Sequence, residues 1–262
     1  MSYEHIRVEV QAHVGRITLD RAAERNAMTL PMGREIERAV VSLNAEPAVR
    51  VVVVTGAGKA FSAGGNLKTL GKEAGIASDA SDLGSGETFY KSFLSIRDLN
   101  VPSIAAINGH AIGAGLCFAI ACDLRVMHRD AKAGMTFVKL GIHPGMAATW
   151  NLPRLIGAAR AADLLYTGRL VGADEALALG LVSRVADDDF EATVTAMADE
   201  IASNGPISVR LLKETLRATF ERTMGEAVER EASAQAETFR TEDGREGLLA
   251  VMEKRPPRFR GR

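Results

Sequence analysis

Ile104-Ala-Ala-Ile-Asn-Gly-His-Ala-Ile-Gly-Ala-Gly-Leu-Cys-Phe-Ala-Ile-Ala-Cys-Asp-Leu-Arg-Val-Met127 is the stretch on which the reading of this chain turns. Ile104 to Ile107 form a short apolar run of the kind expected for a buried strand, and Asn108-Gly109 closes it. The small-residue turn Gly113-Ala114-Gly115 comes next, then an apolar helical segment from Leu116 to Ala121 and a strand beginning near Cys122-Asp123. A strand, a tight turn and a helix start present unpaired N–H groups and a positive dipole end to whatever lies over the turn. Such a place stabilises negative charge growing on an oxygen. Nucleotide readings of the glycines fail. A dinucleotide fingerprint starting at Gly113 meets Phe118 where its last glycine belongs, and in Thr55-Gly56-Ala57-Gly58-Lys59-Ala60 a phosphate loop meets Val53 and Ala60 at required positions. Close helix–strand packing is the bland reading of the small residues.

A second stretch, Val51-Val-Val-Val-Thr-Gly-Ala-Gly-Lys-Ala-Phe-Ser-Ala-Gly-Gly-Asn-Leu-Lys68, shifts the balance. With the first it resembles the crotonase (enoyl-CoA hydratase/isomerase) superfamily, whose pattern is a strand, T-G-x-x-x-x-F-x-A-G-x-D-L, then N-G-x-A-x-G-G-G. The resemblance spans nearly the whole chain: Arg21 with Asn26-Ala27-Met28, Leu140-Gly141-Ile142-His143-Pro144-Gly145, Thr167-Gly168, Gly180-Leu181-Val182, and Glu253 to Phe259. It implies an α/β fold, the ββα spiral of crotonases, with residues 1–200 as the core and 201–262 as a helical C-terminal layer that builds a homotrimer or homohexamer.

The 262 residues suit one large core with an appendage, and a net charge of −1 suggests neither a nucleic-acid surface nor a membrane partner. The N-terminal Met-Ser-Tyr-Glu-His has no secretory character, no run reaches the ~20 apolar residues of a membrane span, and the cytoplasm is the expected compartment. Cys117 and Cys122 are not expected to pair, and no metal-ligand spacing is present. Residues 6–19 alternate as a hairpin, and Met32, Ile36, Val40 and Leu43 mark a helix opening at Pro31. Val51–Thr55 reads as a strand covered on both faces. Residues 70–87, rich in Gly, Ser and Asp, read as a loop or loose helix beside the first motif, and four helices follow Asp187.

The resemblance also assigns chemistry. Backbone N–H groups of Ala63 and Ala114 are expected to hold the thioester oxygen of an acyl-CoA, with coenzyme A entering as part of the substrate and no tightly bound cofactor. Ala114 stands where relatives carry glycine, and alanine keeps the N–H. Ala63, Gly64, Asn66, Lys68, Phe259 and Arg262 are the expected coenzyme A contacts, Asn66 replacing the usual aspartate. The two catalytic glutamates of hydratases map onto Cys117 and Phe137. A hydratase needs two carboxylates sharing one water, and neither a thiol with an ordinary pKa near ~8.5 nor a phenyl ring does that work. His143, Tyr90 and Glu87 are the remaining candidates for proton transfer, and Cys117 for a nucleophile. The expected activity is acyl-CoA binding with enolate stabilisation and poor crotonyl-CoA hydration. A non-catalytic acyl-CoA binder and a CoA thioesterase or decarboxylase are the alternatives.

Overall fold

A computed structural model describes residues 2–66 and 86–262. The hairpin expected from the alternation is formed by β1 (Ile6–Gln11) and β2 (Val14–Leu19), paired antiparallel with Ile6 opposite Leu19. Helix α1 (Leu30–Asn44) starts where Pro31 suits the first turn and Thr29 accepts the Met32 N–H. It buries Met32, Ile36, Val40 and Leu43, the residues its 3.6-residue spacing singles out. Strand β3 (Val51–Gly56) is buried along its whole length, in keeping with its run of valines at the middle of a sheet.

From β3 the chain passes through a short β4 (Ala60–Ser62), and α2 (Gly86–Leu94) is the next described helix. The expected soft segment 70–87 lies outside the described residues except for Gly86 and Glu87, which open α2. Strands β5 (Ser103–Ile107) and β6 (His110–Ile112) lead into α3 (Ala114–Ala121), and β7 (Leu124–His128) and β8 (Lys132–Gly134) repeat the step. After α4 (Ala148–Ile156) and α5 (Ala158–Thr167) come β9 (Leu170–Gly172), α6 (Ala173–Leu179) and β10 (Arg184–Ala186). Among the described residues, six strands form one sheet in the order β1-β2-β3-β5-β7-β10, and four form a second in the order β4-β6-β8-β9. Each turn of the spiral thus carries the chain from the large sheet to the small one and then into a helix.

Alternation along the parallel strands divides the core. Val51, Val53, Ile104, Ala106 and Val126 face α7 (Phe190–Ala202), which lays Phe190, Val194 and Met197 on them. Val52, Val54, Ala105 and Ile107 face the other way, into the larger cluster with α1 and α3. Helix α3 is buried on every side, so it reads as uniformly apolar rather than amphipathic.

The last helices, α8 (Pro206–Arg217), α9 (Met224–Phe239) and α10 (Glu242–Glu253), differ in kind. Gly205-Pro206 breaks the chain as expected, and Leu212, Leu216, Phe220, Met224, Val228 and Phe239 stand exposed. Helix α9 buries none of its residues. Two polar anchors tie α8 to the spiral: Lys213 Nζ donates to Asp123 Oδ2 and to the Val101 carbonyl, and Arg217 donates to the Leu99 carbonyl, all at 2.7 Å. Asp123 also accepts from the Ser103 N–H and hydroxyl, at 2.7 Å each. No helix among the described residues is long and apolar enough to cross a membrane.

Candidate active site

Two asparagines shape the turns that meet at the site. The buried Asn26 donates its amide to the carbonyls of Ala57 and Ala60, at 2.9 and 2.8 Å, and accepts the Arg21 N–H. Asn108 does the same service for the next turn, accepting the Gly56 N–H at 3.1 Å and donating to the carbonyls of Gly56 and Gly58. These clamps bring the end of β4 against the start of α3. A Cβ on Gly115 would stand 2.6 Å from the Ser62 carbonyl, so only glycine lets the helix sit this close. On the facing side Gly64 has φ +90°, and a Cβ there would lie 2.5 Å from the Ile112 carbonyl and 3.4 Å from the Ala114 nitrogen. The two motifs therefore touch at Gly64 and Ala114.

Which amides remain open at that junction follows from counting donors. The Ala63 N–H is donated to the Arg25 carbonyl at 2.9 Å, the Asn66 N–H to the Met28 carbonyl at 3.2 Å, and the Gly64 N–H to Ser62 Oγ at 3.1 Å. Gly65 forms an isolated parallel bridge with Met28, in which its flanking residues make the bonds: Gly64 accepts from Met28 and Asn66 donates to it. The Gly65 N–H thus points away from that pairing and has no acceptor among the described residues. This corrects the expectation for Ala63, whose amide is committed to the loop at Arg25. Across the junction, Gly113 donates its own N–H to Gly134 and Cys117 donates back to Gly113. Ala114, the first residue of α3, keeps an N–H with no acceptor among the described residues, at the positive end of the helix.

Both open amides line a cavity of about 510 Å³. Met28, Phe89, Ile112, Phe137, Leu140 and Ile142 make its wall mainly apolar, and the titratable side chains among its described lining are Glu24, Tyr90 and His143. Glu24 is engaged in an ion pair with Arg21. Phe137 presents its ring beside Gly113, where a Cβ would be 3.9 Å from Phe137 Cζ. His143 is exposed, and its Nδ1 lies 2.7 Å from the Pro144 carbonyl. A carbonyl only accepts, so this bond puts the proton of the neutral ring on Nδ1 and leaves Nε2 with its lone pair.

Cys117 does not join them. It is fully buried inside α3, with Sγ 3.5 Å from Met135 Sδ and 3.6 Å from the Gly145 carbonyl. Burial pushes its thiol well above the ordinary range, so it is an inert core residue and the nucleophile expectation fails. Among the expected coenzyme A contacts, Ala63, Gly64 and Asn66 lie on the cavity wall, and Lys68 falls outside the described residues. Phe259 and Arg262 do not line it. The Phe259 ring rests between Gly205 and Gly247, its carbonyl accepts from Arg50 at 2.9 Å, and Arg262 Nε donates to Glu242 at 2.8 Å. No lysine or arginine is found among the cavity's described lining residues. Tyr90, on α2, is the lining residue that no motif announces.

A family model described as Enoyl-CoA hydratase/isomerase matches residues 9–262. The chain is similar to a probable enoyl-CoA hydratase of Mycobacterium leprae, with 37% identity over 260 residues and 99% of each chain covered. It is 36% identical over 262 residues to a crotonyl-CoA hydratase of Syntrophomonas wolfei, again with 99% of each covered. A crystal structure of an enoyl-CoA hydratase from Bacillus anthracis superimposes with a TM-score of 0.91 at 37% identity, covering 99% of this chain and 100% of that one.

Proposed function

Since the chain belongs to the enoyl-CoA hydratase/isomerase family, we propose that it binds an acyl-CoA thioester and stabilises its enolate between the N–H groups of Gly65 and Ala114. The observation that carries this reading is the pair of open amides on one apolar cavity, set where two glycine-rich turns meet. Two converging donors in a dry site strengthen their hold as the thioester oxygen takes up charge, which is how such a hole lowers a barrier. With Phe137 and the sealed Cys117 at the two positions of the hydratase glutamates, no carboxylate pair grips a water among the described residues, so the favoured chemistry is proton transfer at carbon. His143, with Nε2 free to accept, is the base for the Cα proton.

Ala114→Pro tests the hole. Proline is tolerated at the first helical position and Gly113 before it accepts the restriction, so the helix start survives while the ring Cδ takes the place of the N–H. Exchange of the Cα hydrogens of butyryl-CoA in D2O, followed by mass spectrometry, is expected to slow by about 10²–10³-fold, the usual loss for one such donor. A wild-type protein that binds butyryl-CoA and exchanges nothing would make it an acyl-CoA binder without catalysis.

Assembly belongs to the same reading. The exposed apolar row from Leu212 to Phe239 has no cover in its own chain among the described residues, which supports a trimer or hexamer built through residues 201–262. That no lysine or arginine is among the cavity's described lining fits this, because the basic tail would then meet a neighbour's coenzyme A phosphates. Light scattering at micromolar concentration is expected to report three or six copies, and a stable monomer would refute it.

A further inference from the structure

Resting on the enolate reading, we propose that the phenol of Tyr90 is the acid that returns a proton to the bound enolate. The argument starts at Cys117, one helical turn beyond the Ala114 amide. Its Sγ touches the Gly145 carbonyl at 3.6 Å, so Gly145 stands over the first turn of α3. Tyr90 closes on the same glycine, since a Cβ there would collide with the phenol hydroxyl. The hydroxyl and the Cys117 thiol thus both lie against Gly145, and Tyr90 lines the cavity that holds the Ala114 amide. Phe89 packs edge-on against the ring at 6.1 Å between centroids, and helps set its direction. The hydroxyl has no hydrogen-bond partner among the described residues, and Tyr90 retains 39% of its surface. A phenol held in place against apolar walls is a donor available to a substrate atom.

The step balances as follows. The Tyr90 O–H bond breaks and its electron pair stays on the phenol oxygen. The enolate π electrons form the new Cα–H bond while the thioester C=O re-forms and leaves the two amides. The phenolate then takes a proton from water, and the imidazolium of His143 gives its proton to solvent. Helix α2 thus supplies from one side what α3 does not supply from the other.

Tyr90→Phe is the direct test, with butyryl-CoA in D2O as the probe. Deuterium entry at Cα at saturating butyryl-CoA is expected to fall by about 100-fold, within the range for one lost proton-transfer group. The Kd for butyryl-CoA should stay within about twofold, a split that a merely structural tyrosine would not give. Gly145→Ala is the second variant: its methyl displaces the phenol without touching the cavity's amides, and exchange should drop while binding holds. Exchange at the wild-type rate in Tyr90→Phe overturns the assignment and leaves the enolate reading standing. If Tyr90→Phe does not fold, the same result in Gly145→Ala overturns it instead. A wild type that binds but never exchanges removes the enolate reading and Tyr90 with it.

Discussion

Crotonyl-CoA offered to this protein should be hydrated at least about 10⁴-fold more slowly than the order of 10 s⁻¹ typical of enzymes. Hydration needs a base to take a proton from water and an acid to give one to Cα, each worth about 10²–10⁴-fold, with both groups gripping the same molecule. Phe137 offers a ring at one of those positions, and Cys117 at the other is sealed under Gly145. In the proposed chemistry His143 and Tyr90 move a proton at carbon, and neither adds a water across the double bond. Binding should persist, because the amides and the cavity are untouched. Cys117→Glu with Phe137→Glu ought to raise hydration more than either change alone, since two carboxylates act on one water. Glutamate is longer than cysteine and would press on Met135 and Gly145, so the double variant must be checked for folding by circular dichroism. A steady-state assay of the unmodified protein that returns ordinary enzymatic turnover would break the mechanism.

Much of this was legible in the residues alone. The β-branched run Val51–Val54, the 3.6-residue spacing of Met32, Ile36, Val40 and Leu43, and the glycines flanking Ala114 each carry a local physical rule. The structure obeys all three. What escaped depends on partners far away in the chain. Four consecutive amides, 63 to 66, look alike in sequence, and which one stays open is decided by Arg25, Ser62 and Met28. That is why Ala63 was expected and Gly65 is found. Cys117 sits in a helix apolar on every face, so no periodicity tells which way it points. Tyr90 was a candidate for proton transfer and does line the cavity, but no spacing announces its contact with Gly145, 55 residues on. Phe259 reads as a coenzyme A contact, yet Arg50 and the surfaces of Gly205 and Gly247 fold it back onto its own chain.

Asp123→Asn should destabilise the chain by about 3 kcal/mol, the low end of what breaking a buried ion pair costs. The two partners are unequally covered: Lys213 has 5% of its side chain exposed and Asp123 36%. Solvent at the carboxylate weakens the attraction, which is why the low end applies. Burial alone would raise the Asp123 carboxyl, but the Lys213 charge and the bonds from Lys213 and Ser103 outweigh it and hold it below the usual carboxylate range. Burial likewise pulls the Lys213 ammonium below its usual range despite Asp123, so the lysine bears the desolvation. With Asn at 123 that ammonium keeps the Val101 carbonyl and loses its counter-charge. Lys213→Met in the same chain removes the stranded charge, so the double variant should recover most of the loss, a coupling that a double-mutant cycle reads directly. The sign with pH follows from the lowered carboxyl. The contribution is fully present above the unfolded pKa of about 3.9 and fades as pH falls through the lower folded value. Urea unfolding at pH 7 and pH 5 should therefore separate wild type from Asp123→Asn by the same margin, and below about pH 4 the margin should shrink. Equal midpoints for the two proteins at pH 7, or a double variant no more stable than Asp123→Asn alone, would show that this pair does not anchor α8 to the spiral.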